Sequence, residues 1–205
     1  MPQTLPDELV IARLEQAWGL FRDTARWNDL RALYAPGATM KTTWFEGPAL
    51  EFVDASARLS AKTGAMALHS IGATTAWVNG MRAVAEVRVV LLIRQPLGGV
   101  EVDVTCHGRF VDRLVKVSNE WRLMHRDPIY EKDALVPARP APIPELDHAR
   151  LASFPAGYRH LAYMQSLGGA SIVMDIVEHN SPAQVRLYAD AMHWLDSGET
   201  KGLPP

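Results

Sequence analysis

Between residues 67 and 130 apolar side chains recur at every second position, and only three short breaks interrupt the pattern. Residues 67–78, 82–94, 100–117 and 121–130 each read as a β-strand. The breaks are Asn79-Gly80, the run from Pro96 to Gly99, and Ser118-Asn119, all turn-forming sequences. Long strands joined by turns this tight pair with their sequence neighbours in opposite directions, so the run predicts an antiparallel meander.

Upstream the spacing is helical. Val10, Leu14, Ala17, Trp18 and Phe21 fall on one helix face, and Thr4 with Pro6 and Asp7 resembles a helix start. Residues 28–34 predict a short second helix, stopped by Pro36-Gly37. Alternation at Met40, Thr42 and Trp44 predicts a first strand; Gly47-Pro48 then punctuates, and residues 48–61 read as a third helix. Helices first and strands later make the class α+β. A curved antiparallel sheet closed by the N-terminal helices would form a cone around one internal pocket.

Residues 136–144 hold four prolines and read as an extended connector. Beyond it residues 158–167 and 181–195 look helical, with Gly168-Gly169 between them and Ser181-Pro182 as a cap and first-turn pair. The chain thus divides into a cone domain, residues 1–135, and a connector with a helical tail, residues 136–205. A tail of this size does not fold alone. It is expected to dock on the cone or on a second subunit, with Tyr158, His160, Tyr163 or Trp194 near the pocket opening.

A formal net charge of −2 argues against a nucleic-acid partner. Arg109, Arg113, Lys116, Arg122 and Arg126 are interleaved with Asp112 and Glu120 and form no basic stripe. The single cysteine, Cys106, excludes an intrachain disulfide. No leader-like segment opens the sequence, and no apolar run approaches the ~20 residues that span a bilayer. The expectation is a soluble cytoplasmic protein with no membrane partner.

Asp23 ends the first helix and His69 opens a strand. An anion in the last helical turn faces the negative end of the macrodipole, an unfavourable place without compensation. A carboxylate that holds an imidazole in one tautomer makes a general base. The plainer reading is a solvated helix end and an ordinary strand histidine. Asp23, His69, His107 and His125 lack the short-range spacing of a metal motif, so no metal is expected. His107 and Arg109 share the strand face opposite Cys106 and Phe110. Glu86 and Arg88 read as a paired surface patch, with pocket groups as the alternative, and His125 and Arg126 as neighbours that cannot both point inward. Cys106 reads as a small packed residue rather than a nucleophile. Six tryptophans and five tyrosines suggest a large apolar or aromatic ligand; Trp18, Met40 and Trp44 would line the pocket mouth or pack in the core.

Several stretches together resemble the SnoaL-like, scytalone dehydratase-like branch of the cone-shaped nuclear transport factor two superfamily. They are Asp23 with residues 27–35, Phe45-Glu46-Gly47, residues 68–72, residues 108–114 and residues 121–126. The resemblance spans residues 7–133. It implies a catalytic Asp–His dyad at Asp23 and His69, a cationic pocket residue at Arg126, and substrate contacts at Phe110 and Cys106. Arg126 would be a donor near developing negative charge; its alternative is a surface ion pair with Asp127 or Glu131. Some members carry a tyrosine where this chain has Trp18, whose indole offers only an N–H donor. Trp18 suits stacking on an aromatic substrate instead.

The resemblance implies a cofactor-independent lyase that removes a proton from an aromatic or polycyclic substrate with elimination, as a dehydratase does. One alternative is a non-oxidative carbon–carbon lyase that releases formaldehyde from a lignin-derived diarylpropane. Only five lysines are present, none in an apolar context, which disfavours an imine mechanism. The other alternative is a non-catalytic ligand-binding or assembly module, since fold does not fix function. A homo-oligomer, dimer or trimer, is expected.

Overall fold

A computed structural model of the chain describes residues 5–63 and 66–198. Helix α1 (Asp7–Asp23) buries Ile11, Leu14 and Trp18, the stripe its apolar spacing dictates, and carries Glu15 inward with them. It starts after Pro6 with no side-chain cap; Thr4 lies outside the described residues. Helix α2 (Trp27–Ala32) is shorter than expected, because the chain is already extended at Tyr34. Strand β1 (Tyr34–Thr42) therefore runs through Pro36-Gly37 instead of starting beyond it. It turns into β2 (Phe45–Pro48), where Gly47-Pro48 was read as a break, and α3 (Ala49–Thr63) follows.

The meander is β3 (Met66–Asn79), β4 (Arg82–Leu97), β5 (Val100–Val117) and β6 (Glu120–Pro137). Within the meander, consecutive strands pair antiparallel. β6 runs seven residues past the expected end at Tyr130, so the cone strand continues two residues into the predicted connector. The sheet is curved and unclosed, with strand order β2-β1-β6-β5-β4-β3. It is not wholly antiparallel: β1 runs parallel to β6, beside His125 and Arg126. Bulges bend the meander. Leu114 and Arg113 pair with Leu123 and His125, leaving Met124 as the extra residue. That insertion reverses the alternation of β6 and sends Arg126, rather than His125, to the concave side with Leu123.

The tail holds α4 (His148–Ala152), a 3₁₀ turn at Ala156–Tyr158, α5 (Arg159–Leu167), β7 (Val177–Glu178) and α6 (Pro182–Ser197). Asp147 caps α4, Ser181 caps α6, and β7 pairs parallel with Ile129-Tyr130 of β6. The tail docks on its own sheet. Tyr158, Leu161 and Met164 pack on the concave side with Val104, Cys106 and Tyr130. Trp194 and Leu195 of α6 cover Val84, Val111 and Ile129 on the convex side. The principal core lies between the sheet and helices α1 to α3. Among the described residues no helix is long and apolar enough to cross a membrane.

Candidate active site

Asp23 grips His69 twice. Its Oδ1 lies 2.6 Å from the ring Nδ1, and its Oδ2 accepts the His69 backbone N–H at 2.6 Å. The two bonds compensate the carboxylate for its place at the negative end of α1. With a proton on Nδ1 shared with Asp23, Nε2 is left as the basic nitrogen. Both side chains are nearly buried. Burial lowers the proton affinity of His69, while the Asp23 hydrogen bond and charge raise it; the net direction is down.

His69 stands in the wall of a two-part cavity. The outer part, about 510 Å³, lies between α1, α3, the β3–β4–β5 strands and α5. It falls within the usual size range of small-molecule sites. The inner part, about 40 Å³, is closed by Trp18, Phe52, Cys106 and Phe110. It has room for a small group rather than a ring. Five residues line both parts and so form the neck: His69, Arg22, Trp44, Leu91 and Gln165. Arg22 is half-buried, with its guanidinium 5.7 Å from the centre of the Trp27 ring. Burial lowers its proton affinity, and the neighbouring Asp23 partly restores it. It is the cation beside the dyad.

Arg126 does not take that part. It is 1% exposed, held between the Trp18 and Phe110 rings at 4.2 and 4.1 Å, and absent from both cavity walls. Its Nη2 donates to Asp112 at 2.7 Å and to Glu15, and its Nε to Asp112 at 2.9 Å. Its partners are therefore neither substrate nor the expected Asp127 and Glu131. Burial would lower its proton affinity, but the two carboxylates more than reverse this. Burial and the Asp112 charge push the Glu15 carboxyl well up.

Met40 is also displaced from the expected mouth. It is core, accepting the Tyr34 hydroxyl at its sulfur, and Tyr34 in turn accepts the Trp18 indole N–H at 2.6 Å. Trp18 thus offers the cavity its ring and not its donor, edge-on to His69 at 5.3 Å. Burial pushes the Cys106 thiol up, the wrong direction for a nucleophile.

Residues 3–127 match the model of the SnoaL-like domain. The chain belongs to the SnoaL-like family. A PEP2-like protein of Fusarium vanettenii is 33% identical, over 93% of this chain and 88% of its own. Pea pathogenicity protein 2 of the same fungus is 30% identical over the same shares. Among solved structures, a candidate scytalone dehydratase from Novosphingobium aromaticivorans superposes with a TM-score of 0.53 at 16% identity. It covers 68% of this chain and 94% of its own, a likeness of fold.

The SnoaL-like domain supplies the dyad, and the tail beyond it supplies part of the cavity wall. The wall residues are not the four expected. Tyr158 donates to the Val173 carbonyl, His160 bonds Asp133, Tyr163 accepts the Asp147 N–H, and Trp194 lies on the convex face. Leu161, Met164, Gln165 and the Gly168–Gly169 turn line the cavity instead. The Gln165 Oε1 is buried and receives no hydrogen bond from any described residue. Of the four residues weighed as metal ligands only Asp23 and His69 meet; His125 bonds Thr39 and Asp127. Among the described residues no His, Cys, Asp and Glu cluster suits a metal. Glu86 and Arg88 fall under and beside α6, bonded to Arg109 and Tyr188 and to Glu131. A hollow of about 390 Å³ there is lined by Glu86 and Tyr188, which bond each other, and by Trp77 and aliphatic side chains.

Proposed function

We propose that this SnoaL-like protein is a cofactor-independent lyase of the dehydratase kind, acting on an aromatic or polycyclic substrate. The observation that carries the reading is the doubly held imidazole in the neck of a two-part cavity. His69 Nε2 takes a proton from carbon; the C–H electrons become the new C=C bond as the C–O bond breaks. The same proton, returned from His69, leaves with the hydroxyl as water. Asp23 fixes the tautomer and stabilises the imidazolium during the step. Arg22 faces the negative charge that develops on the substrate. Trp18, Trp44 and Phe110 supply apolar walls that exclude water. A positioned base of this kind contributes about 10²–10⁴ in rate.

A screen of aromatic diols and cyclic alcohols, read by loss of water in mass spectrometry, tests the reading. Wild type should turn over at least one of them, and His69→Ala should lose roughly 10²-fold or more of that turnover while still binding the compound. Binding without turnover by wild type would instead make the chain a ligand-binding module.

A further inference from the structure

The outer cavity carries charge opposite in sign to the chain as a whole. Helix α3 turns Ala55, Arg58, Leu59 and Lys62 to it, positions three and four apart and so one helix face. Arg58 and Lys62 are exposed and pair with no carboxylate among the described residues. Asp54, also on α3, is taken by Arg31. Arg22 adds a third cation at the neck, and the single carboxylate in the lining, Asp23, spends both oxygens on His69. The formal net charge of the chain is −2, so two cations with no carboxylate partner and a third beside Asp23, all around one cavity, are a local exception. The wall facing α3 is apolar, with Leu91, Ile93, Val104, Leu161 and Met164.

We propose that the occupant of this cavity is an aromatic carboxylate. Its rings lie against the apolar wall, and its acid group reaches Arg58 and Lys62 at the mouth. Unpaired cations at the mouth of an apolar cleft focus the field outward and raise the local concentration of anions. A carboxylate there gains charge-assisted hydrogen bonds, while its rings exchange water for apolar contact. The acid group anchors the ligand at the end remote from the inner compartment, so the rest of its frame is presented to His69. The inference rests on the cavity being the substrate site and names the substrate class for it.

Calorimetric titration with three probes of one shape tests it: naphthoate, naphthalenemethanol and protonated naphthylmethylamine. At low salt naphthoate should bind about tenfold more tightly than the alcohol, and the amine most weakly. Added salt should weaken naphthoate alone. Arg58→Gln combined with Lys62→Gln changes exposed side chains only; it should remove most of the preference and leave the alcohol's affinity unchanged. His69→Ala should keep the preference. Equal affinities for the three probes, no binding by any of them, or a preference that survives the double substitution would overturn the proposal. None of these titrations reads turnover, so a failed lyase assay and a failed charge preference are separate results.

Discussion

Gly19 of α1 presses directly on Ile71 of β3. A Cβ at Gly19 would lie 2.7 Å from Ile71 Cγ1 and 3.0 Å from the His69 carbonyl oxygen. The missing side chain lets the helix ride on the strand, and Asp23, one turn further along the same face, reaches His69. Gly19→Ala should gain up to about 1 kcal/mol of helix propensity and lose roughly 1–3 kcal/mol to overpacking. The net is a loss of up to about 2 kcal/mol, read as a lowered urea unfolding midpoint. The proposed catalysis would depend on the 2.6 Å contacts and should fall by more than the stability change suggests. Ile71→Ala in the same chain, which removes the Cγ1 that the new Cβ would meet, should recover part of it. An Ala variant with full activity would show that the close approach does not position the dyad.

Burial and Asp23 pull His69 in opposite directions, and burial prevails, so its pKa lies below the ordinary 6.5. In the proposed reaction the neutral ring is the base. The kcat/KM profile should hold at neutral pH and fall in acid, with its midpoint below 6.5. Asp23→Asn removes both raising influences, so the acid limb should move to still lower pH. The plateau should drop by roughly 10²–10⁴, because the tautomer is no longer fixed. The folded pKa is depressed relative to the unfolded chain. Its contribution to stability is therefore present above about 6.5 and lost as pH falls through the folded value. A limb that stays in place in Asp23→Asn would remove Asp23 from the mechanism.

Arg126 is a structural cation, and its substitution should be read in unfolding and not in KM. Arg126→Met leaves Asp112 and Glu15 buried together without their cation, and should lose about 3–5 kcal/mol. Glu15→Gln should be far milder. The Glu15 carboxyl is pushed up by burial and then by the Asp112 charge. Its folded pKa exceeds the unfolded one, so its stabilisation is present in acid and lost as pH rises through the folded value. The amide holds the neutral form throughout, so the variant should lose less stability than wild type between acid and neutral pH. A normal urea midpoint with a raised KM in Arg126→Met would return Arg126 to the substrate.

Where alternation and turns speak alone, residue spacing was enough: β5 ends where Ser118-Asn119 predicts, and the Trp18 face of α1 is inward. It also set Arg126 inward and His125 outward as alternatives. What spacing does not carry is what the inward groups meet. Asp112 follows Val111 in an ordinary strand run, and Glu15 sits in a helix that looks polar at that position. Only the fold brings the two acids to Arg126 and closes it off from the cavity. Arg22 was overlooked for a related reason. It is adjacent to Asp23 at a helix end, where charged residues are common, and only the docking of α1 on β3 turns both toward His69. The tail is the extreme case, since its cavity residues lie nearly a hundred positions from His69 and share no pattern with it.

Gln165 joins the tail to the chemistry, and its role separates stability from activity. Its Oε1 is buried without a donor among the described residues, in the neck shared by His69 and Arg22. A buried, unpaired amide oxygen destabilises the free protein by roughly 1 kcal/mol or more. Gln165→Leu removes that penalty at similar volume and should raise the thermal midpoint by a few degrees, about 2–4 °C per kcal/mol for a chain of this size. The amide nitrogen, which is not buried, is the group in the neck placed to bond a substrate oxygen. The same substitution should then lower kcat/KM by about tenfold, chiefly through KM, since a hydrogen bond made in ground and transition states alike leaves kcat unchanged. A more stable Leu variant with unaltered kinetics would reduce Gln165 to a wall residue and leave the tail as a cover over the site.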